Sequence, residues 1–250
     1  MLLAVDIGNS NIKFGIYDGP TLHSKFSLPT SHDLSADALR QAIDCNREAA
    51  ISDAIVCSVV PNAERTLMEF LQTDLGVPTL SVRNDFEFGL RINYAPISAV
   101  GTDRLVNSFA AAERYGAPCV VCSLGTATTF DVVDAGREFL GGVIAPGMGA
   151  MAKALHLTTA QLPEIEIQKT AKLINNSTIA SIQSGVFYGY LGMVEGITSR
   201  IKSEVGDSPK VIATGGFAQL VNDNTDLFDV VDDNLTLDGL RLLHERIDQT

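Results

Sequence analysis

The chain has 250 residues, enough to bury a sizeable core as one large domain or two small ones. Hydrophobic residues make up 46% and charged residues 19%, which excludes a disordered chain. The formal net charge of −12 excludes broad, non-specific nucleic-acid binding, which needs a basic surface, but not an anionic ligand held by local backbone N–H groups.

Leu2 to Tyr17 reads as an apolar strand carrying Asp6 near its end, a glycine turn lined by small polar side chains, and a second strand. Gly8 lets the backbone approach an anion closely, and Asn9, Ser10 and Asn11 add donors, so the turn suits phosphate. Asp6 would stand close enough to hold a hydrated Mg²⁺ against that phosphate. A plain hairpin with a polar tip has the same local pattern. Leu22 to Leu28 offers a third strand, and Leu34 to Ala49 has helical spacing. Ala54 to Val60 is a short buried strand stopped by Pro61, followed by a helix from Asn62 to Leu75 with Asn62 as its cap and Gly76 beyond its end. Thr79 to Val82 supplies another strand, and this alternation indicates an α/β domain.

The pattern is irregular from Asn84 to Val100, the expected hinge between two halves, and helical spacing resumes through Asp103 to Ala112. Asp103 and Arg104 stand at a helix start behind Gly101. An acid there can merely complement the helix dipole, or act as a general base beside an arginine that clamps a carboxylate or phosphate. Both readings stay open on these residues alone.

The second half repeats the opening device. Val120 to Val133 is again strand, glycine turn and strand; laid over the first, Ser123 falls on Asp6, Gly125 on Gly8, Thr126 on Asn9 and Thr128 on Asn11. Two such hairpins point to a duplicated domain whose turns grip one polyphosphate. Arg137 to Gly147 reads as a strand running into a glycine turn, with a helix from about Gly149 to Leu157. A long helix is expected from Ser177 to about Glu204, with Gly185, Gly189, Gly192 and Gly196 along one face, where tight packing of a backbone or ligand is expected. Val211 to Phe217 is a strand ending in a double glycine suited to a nucleoside, and Leu235 to Ile247 closes the chain as an amphipathic helix. Cys45, Cys57, Cys119 and Cys122 read as buried reduced thiols, because the Cys119–Cys122 pair lies in an apolar run without further ligands. His23, His32, His156 and His244 have no metal-ligand spacing. No leader pattern and no membrane-length apolar run is present, so a cytoplasmic protein with no membrane partner is expected.

The motifs Asp6-Ile-Gly-Asn-Ser, Gly101-Thr-Asp-Arg104, Gly125-Thr-Ala-Thr-Thr-Phe-Asp131, Pro146-Gly147, Ser177-Thr-Ile-Ala, Val211-Ile-Ala-Thr-Gly-Gly216 and Leu237-Asp-Gly-Leu240 occur in the order and spacing of one family. The sequence resembles the type III pantothenate kinases of the acetate kinase, sugar kinase, Hsp70 and actin superfamily. The resemblance implies two ribonuclease H-like domains, residues 1–115 and 116–250, with an ATP cleft between them and the last helix available to pack back on the first domain. It implies a homodimer, ATP and pantothenate as substrates, and transfer of the γ-phosphate to the 4′-hydroxyl, the first step of coenzyme A synthesis. Asp103 takes the role of the base. Asp6, Ile7, Gly8, Asn9, Ser10, Asn11, Ile12 and Lys13, with Thr126, take the role of ATP contacts, Asp6 also serving Mg²⁺ indirectly. Tyr94, Gly101, Thr102, Asp103, Arg104 and Thr178 take the role of pantothenate contacts.

One departure stands out. Ser123 occupies a position where the family typically carries an aspartate that ligates an activating K⁺ or ammonium ion, and serine removes a full charge from that cation site. Monovalent-cation activation is therefore expected to be weakened or absent. Two other functions compete: a kinase or phosphatase for another small molecule, and a nucleotide-binding accessory protein with little or no kinase activity.

Overall fold

The computed structural model describes residues 1–31, 34–206 and 208–248; His32 lies outside the described residues. The apolar opening run forms β1 (Leu2–Ile7), which is buried almost throughout, as a strand covered on both faces must be. It turns through Gly8 into β2 (Asn11–Asp18), and β2 into β3 (Thr21–Pro29), giving an antiparallel meander. A crossover through α1 (Ala36–Asn46) returns the chain as β4 (Asp53–Ser58), parallel to β1. A second crossover through α2 (Pro61–Glu69) leads to β5 (Thr79–Ser81), and the sheet order is β3-β2-β1-β4-β5. A two-residue extended stretch, β6 (Arg91–Ile92), precedes α3 (Thr102–Tyr115).

The second half repeats this wiring. β7 (Cys119–Leu124), β8 (Ala127–Val133) and β9 (Glu138–Pro146) form an antiparallel meander. Helices α4 (Met148–Thr158) and α5 (Thr178–Val205) return the chain to β10 (Lys210–Thr214), parallel to β7. The short α6 (Ala218–Asn222) then leads to β11 (Val230–Val231), parallel to β10. The order β11-β10-β7-β8-β9 mirrors that of the first half, strand for strand and direction for direction, so the repeated hairpins belong to duplicated ribonuclease H-like domains.

The chain divides into two compact units, Met1–Arg114 with Asn234–Thr250, and Tyr115–Asp233. In the first, Leu3, Val5, Ile7, Val56 and their sheet neighbours pack under Leu39, Ile43 and Leu67 of α1 and α2. The final helix, α7 (Leu235–Asp248), packs on β1, β2 and β4 of the same unit. Its attachment is polar as well as apolar. Tyr17 Oη donates to Asp238 Oδ1 at 2.8 Å, Arg114 pairs with Asp238 Oδ2 at 2.7 Å, and Thr236 donates to Asn107 at 2.7 Å. In the second unit, Val120, Cys122, Phe130, Val211 and Ala213 of the sheet pack against Ile182, Val186, Phe187 and Tyr190 of α5.

Three expectations need correction. The helix expected to be capped by Asn62 begins one residue earlier, with Pro61 in the first turn and Val60 at the N-cap. Proline's fixed φ suits that position, and its missing N–H removes a donor that would need a cap. Gly185, Gly189 and Gly192 of α5 do not sit in tight packing within the described chain: a Cβ on any of them would meet open space, and all three are exposed. Finally, Cys45 is exposed, whereas Cys57, Cys119 and Cys122 are buried free thiols. Burial pushes both Cys119 and Cys122 up to about 12, which keeps them inert at neutral pH. Among the described residues, no helix is long and apolar enough to cross a membrane.

Candidate active site

In the first unit the chemistry gathers at the carboxyl ends of the parallel strands β1 and β4, the edge where open α/β sheets bind ligands. Strand alternation turns Val5 and Ile7 into the core and Asp6 to the opposite face. Register places Asp6 opposite Lys13 on β2 and beside Cys57 on β4. The Asp6 carboxylate is 3.7 Å from Lys13 Nζ and accepts a hydrogen bond from Cys57 Sγ at 3.5 Å. Burial raises its pKa above the ordinary carboxylate value, with the Lys13 charge and the thiol donor opposing that rise.

The turn after β1 is braced from outside. Gly8 N–H donates to Asn11 O at 3.0 Å, Thr30 Oγ1 donates to Gly8 O at 2.7 Å, and Thr30 N–H donates to Ser10 O at 2.9 Å. Asn9, Ser10 and Asn11 are exposed on this fixed loop. Ile7 and Ile12 are fully buried, so among the expected ATP contacts these two can offer only backbone groups. Thr30, a lone threonine after a proline, carried no signal in the sequence.

The end of β4 ties this loop to α3. Ser58 O accepts from Thr102 Oγ1 at 3.1 Å, and Val59 N–H donates to Ile7 O at 3.1 Å. Asp103 is partly buried in the first turn of α3, with Oδ1 accepting from Arg104 N at 2.9 Å. Gly101 makes room for it, because a Cβ at that position would run into the Asp103 carboxylate. Arg104 is buried to 6% exposure, and its guanidinium lies 5.9 Å from the centre of the Tyr94 ring. The start of α3 therefore brings together Gly101, Thr102, Asp103 and Arg104, with Tyr94 stacked on the arginine. Asp103 is also close enough to Cys57 to act on its thiol electrostatically.

In the second unit the repeat turn is one residue shorter. Ile7 pairs with Ile12 across the first turn, whereas Leu124 pairs with Thr128 across the second, and Gly125 N–H donates to Ala127 O at 3.1 Å. The equivalence of Ser123 with Asp6 and Gly125 with Gly8 stands, but Thr128 takes the register place of Ile12 rather than Asn11. Opposite Ser123 is Thr129, where the first hairpin has Lys13 opposite Asp6. Thr126 is exposed at the tip, while Thr128 is buried. Thr128 Oγ1 lies 2.7 Å from Tyr190 Oη of α5 and donates to Pro146 O at 3.3 Å. Gly147 closes against the turn so tightly that a Cβ would fall 2.5 Å from Thr126 O and closer still to Gly125 O. Gly215, at φ +97°, lies against the backbone of Leu124, so the double-glycine turn also borders this loop. Thr178 is exposed at the first position of α5, capped by Ser177 Oγ accepting from Ala180 N at 3.4 Å. It borders an open hollow of about 550 Å³ together with Leu155, Leu162 and Ser181.

A duplicated β-meander with a glycine loop at each repeat defines an α/β architecture of paired ribonuclease H-like units. Solved structures share it. A protein assigned to the Baf family of transcriptional activators from Campylobacter jejuni is 19% identical with a TM-score of 0.62, covering 99% of this chain and 100% of its own. One from Listeria monocytogenes described as an N-acetylmannosamine kinase is 12% identical with a TM-score of 0.53, covering 99% of both chains. These likenesses show the fold alone. Sequence comparison goes further. The type III pantothenate kinase family model matches residues 2–200, and the type III pantothenate kinase of Brevibacillus brevis is 42% identical, covering 98% of this chain and 99% of that protein. The chain belongs to the type III pantothenate kinase family.

Proposed function

We propose that this protein transfers the γ-phosphoryl group of ATP to the 4′-hydroxyl of pantothenate, giving 4′-phosphopantothenate and ADP, the first step of coenzyme A synthesis. The observation that carries this reading is the full-length similarity to a type III pantothenate kinase, joined to a carboxylate at the mouth of a glycine loop and a second one at a helix start, linked through the end of β4. Asp103 accepts the hydroxyl proton as the substrate oxygen bonds to the γ-phosphorus and the bond to the β-phosphate oxygen breaks. Arg104, pinned by Tyr94, supplies the positive charge for pantothenate's carboxylate, with Gly101, Thr102 and Thr178 as further substrate contacts. The loop from Gly8 to Asn11, Lys13 and Thr126 bind ATP phosphates. Phosphoryl transfer needs little covalent help from a protein, so placement and charge neutralisation supply most of the rate.

The donors at Asp6 suit Mg²⁺, a hard cation that takes carboxylate and phosphate oxygens and keeps several waters. Asp6 would hold the ion through water beside the nucleotide phosphates; among the described residues no three His, Cys, Asp or Glu side chains are grouped to hold a metal. Bound Mg²⁺ neutralises charge on the transferring phosphoryl group. Ser123 fits a K⁺ or ammonium ion less well: it offers one neutral oxygen opposite the equally neutral Thr129. Weak or absent monovalent-cation activation follows.

A homodimer is supported by the exposed glycine face of α5 and by apolar side chains left in solvent around it, Leu157, Leu173, Ile174 and Ile179 among them. The test is ADP release with ATP, Mg²⁺ and pantothenate, in K⁺, ammonium and Na⁺ buffers, with Asp103→Asn alongside. Pantothenate-dependent turnover lost in the variant is the expected result. Binding of ATP without turnover would favour the accessory-protein reading.

A further inference from the structure

We infer that Cys57 is a positioning residue of this site, its buried S–H fixing the orientation of the Asp6 carboxylate that faces the nucleotide. The inference rests on the kinase reading above and extends it to a residue that touches neither substrate. A buried cysteine is usually a small hydrophobe, as Cys119 is, while the Cys122 sulfur meets only the neutral Thr198 hydroxyl, at 3.8 Å. Cys57 differs in its partner. Register sets it beside Asp6 on the sheet face opposite the α1–α2 core, and its sulfur is 3.5 Å from Asp6 Oδ1. Among the described residues Cys57 and Lys13 are the partners of that carboxylate, and the lysine stands farther off at 3.7 Å on the other oxygen.

The chemistry of a thiol fits the place. A thiol carries one weak S–H donor, and the 3.5 Å contact aims it at Asp6 Oδ1, the oxygen that Lys13 does not hold. An apolar side chain of the same volume would keep the packing but leave Asp6 Oδ1 without that donor; a serine would keep a donor.

The experiment compares wild type with Cys57→Ser, Cys57→Val and Cys57→Ala. Mg·ATP affinity is measured by titration calorimetry without pantothenate, KM for each substrate by ADP release, and thermal unfolding on the same samples. Loss of one hydrogen bond to a carboxylate from a weak donor is expected to raise the Mg·ATP Kd and the KM for ATP about three- to tenfold in Val and Ala. KM for pantothenate should stay within about twofold, and Ser should recover most of the nucleotide affinity. Wild-type nucleotide affinity in Val and Ala overturns the inference, as does a Ser variant no better than Ala at equal thermal stability. A wild type that binds Mg·ATP without pantothenate-dependent turnover would sink the kinase reading while the calorimetry still decides the role of Cys57. A wild type that binds no Mg·ATP would overturn both.

Discussion

Gly147→Ala is a one-atom test of the second phosphate loop. Gly147 has φ −72° and ψ 161°, a conformation open to any residue, so alanine adds no backbone strain there. What it adds is a collision. The new Cβ would lie 2.5 Å from Thr126 O and 2.9 Å from Thr126 C, and nearer still to Gly125 O, all of them backbone atoms. Ordinary carbon–oxygen contact requires nearly 1 Å more, so the turn from Gly125 to Thr126 must retreat by about that distance. Overpacking of this kind costs about 1–3 kcal/mol, and a displacement near 1 Å in a positioned loop can cost about 100-fold in rate. Gly149→Ala, two residues on, is the control, because a Cβ there meets open space on a helix. In steady-state assays with ATP varied, Gly147→Ala should lose about 10- to 100-fold in kcat/KM for ATP while Gly149→Ala stays within about twofold. Equal ATP kinetics in the two variants would refute the reasoning that this turn is held in place by Gly147 and binds nucleotide.

Further outcomes follow from the same geometry. Asp6→Asn should abolish turnover yet stabilise the ligand-free protein at neutral pH, read as a higher unfolding temperature. Because the folded-state pKa of Asp6 is raised, the unfolded chain releases this proton first; stability is therefore lost as pH rises above the ordinary carboxylate value, and the variant should flatten that fall in denaturant titrations from pH 4 to 7. Tyr190→Phe removes the 2.7 Å contact that links α5 to Thr128, and should cost about 1–2 kcal/mol of stability. Combined with Thr128→Val, it should cost clearly less than the sum of the single variants. Ser123→Asp restores a carboxylate at the proposed cation position, and should raise the ratio of turnover in K⁺ to turnover in Na⁺; an unchanged ratio would remove Ser123 from the explanation.

The two glycine hairpins were legible because each is written locally, as apolar alternation, glycine and small polar residues. The start of α3 was legible for the same reason: Gly101, Asp103 and the helical spacing after them lie within a few residues. Partners supplied by another strand were not legible. Nothing near Cys57 in sequence announces Asp6, since their contact arises from a parallel pairing across 51 positions. Thr30 braces the first loop only because β3 ends beside it. The glycines of α5 are legible as one face of the helix, but what covers that face is not. Their helical periodicity was real, but periodicity reports which residues share a face and not what covers it. The shorter second turn is not legible because overlaying two similar runs assumes equal loop length, and only the register of Leu124 with Thr128 shows otherwise.

The most direct test of the central claim is product identification by mass spectrometry after incubating the purified protein with pantothenate, ATP and Mg²⁺, with ADP counted in the same sample. The account predicts 4′-phosphopantothenate and ADP in equal amounts, and neither from Asp103→Asn. ADP formed at the same rate without pantothenate, or no phosphorylated product despite bound ATP, would contradict it.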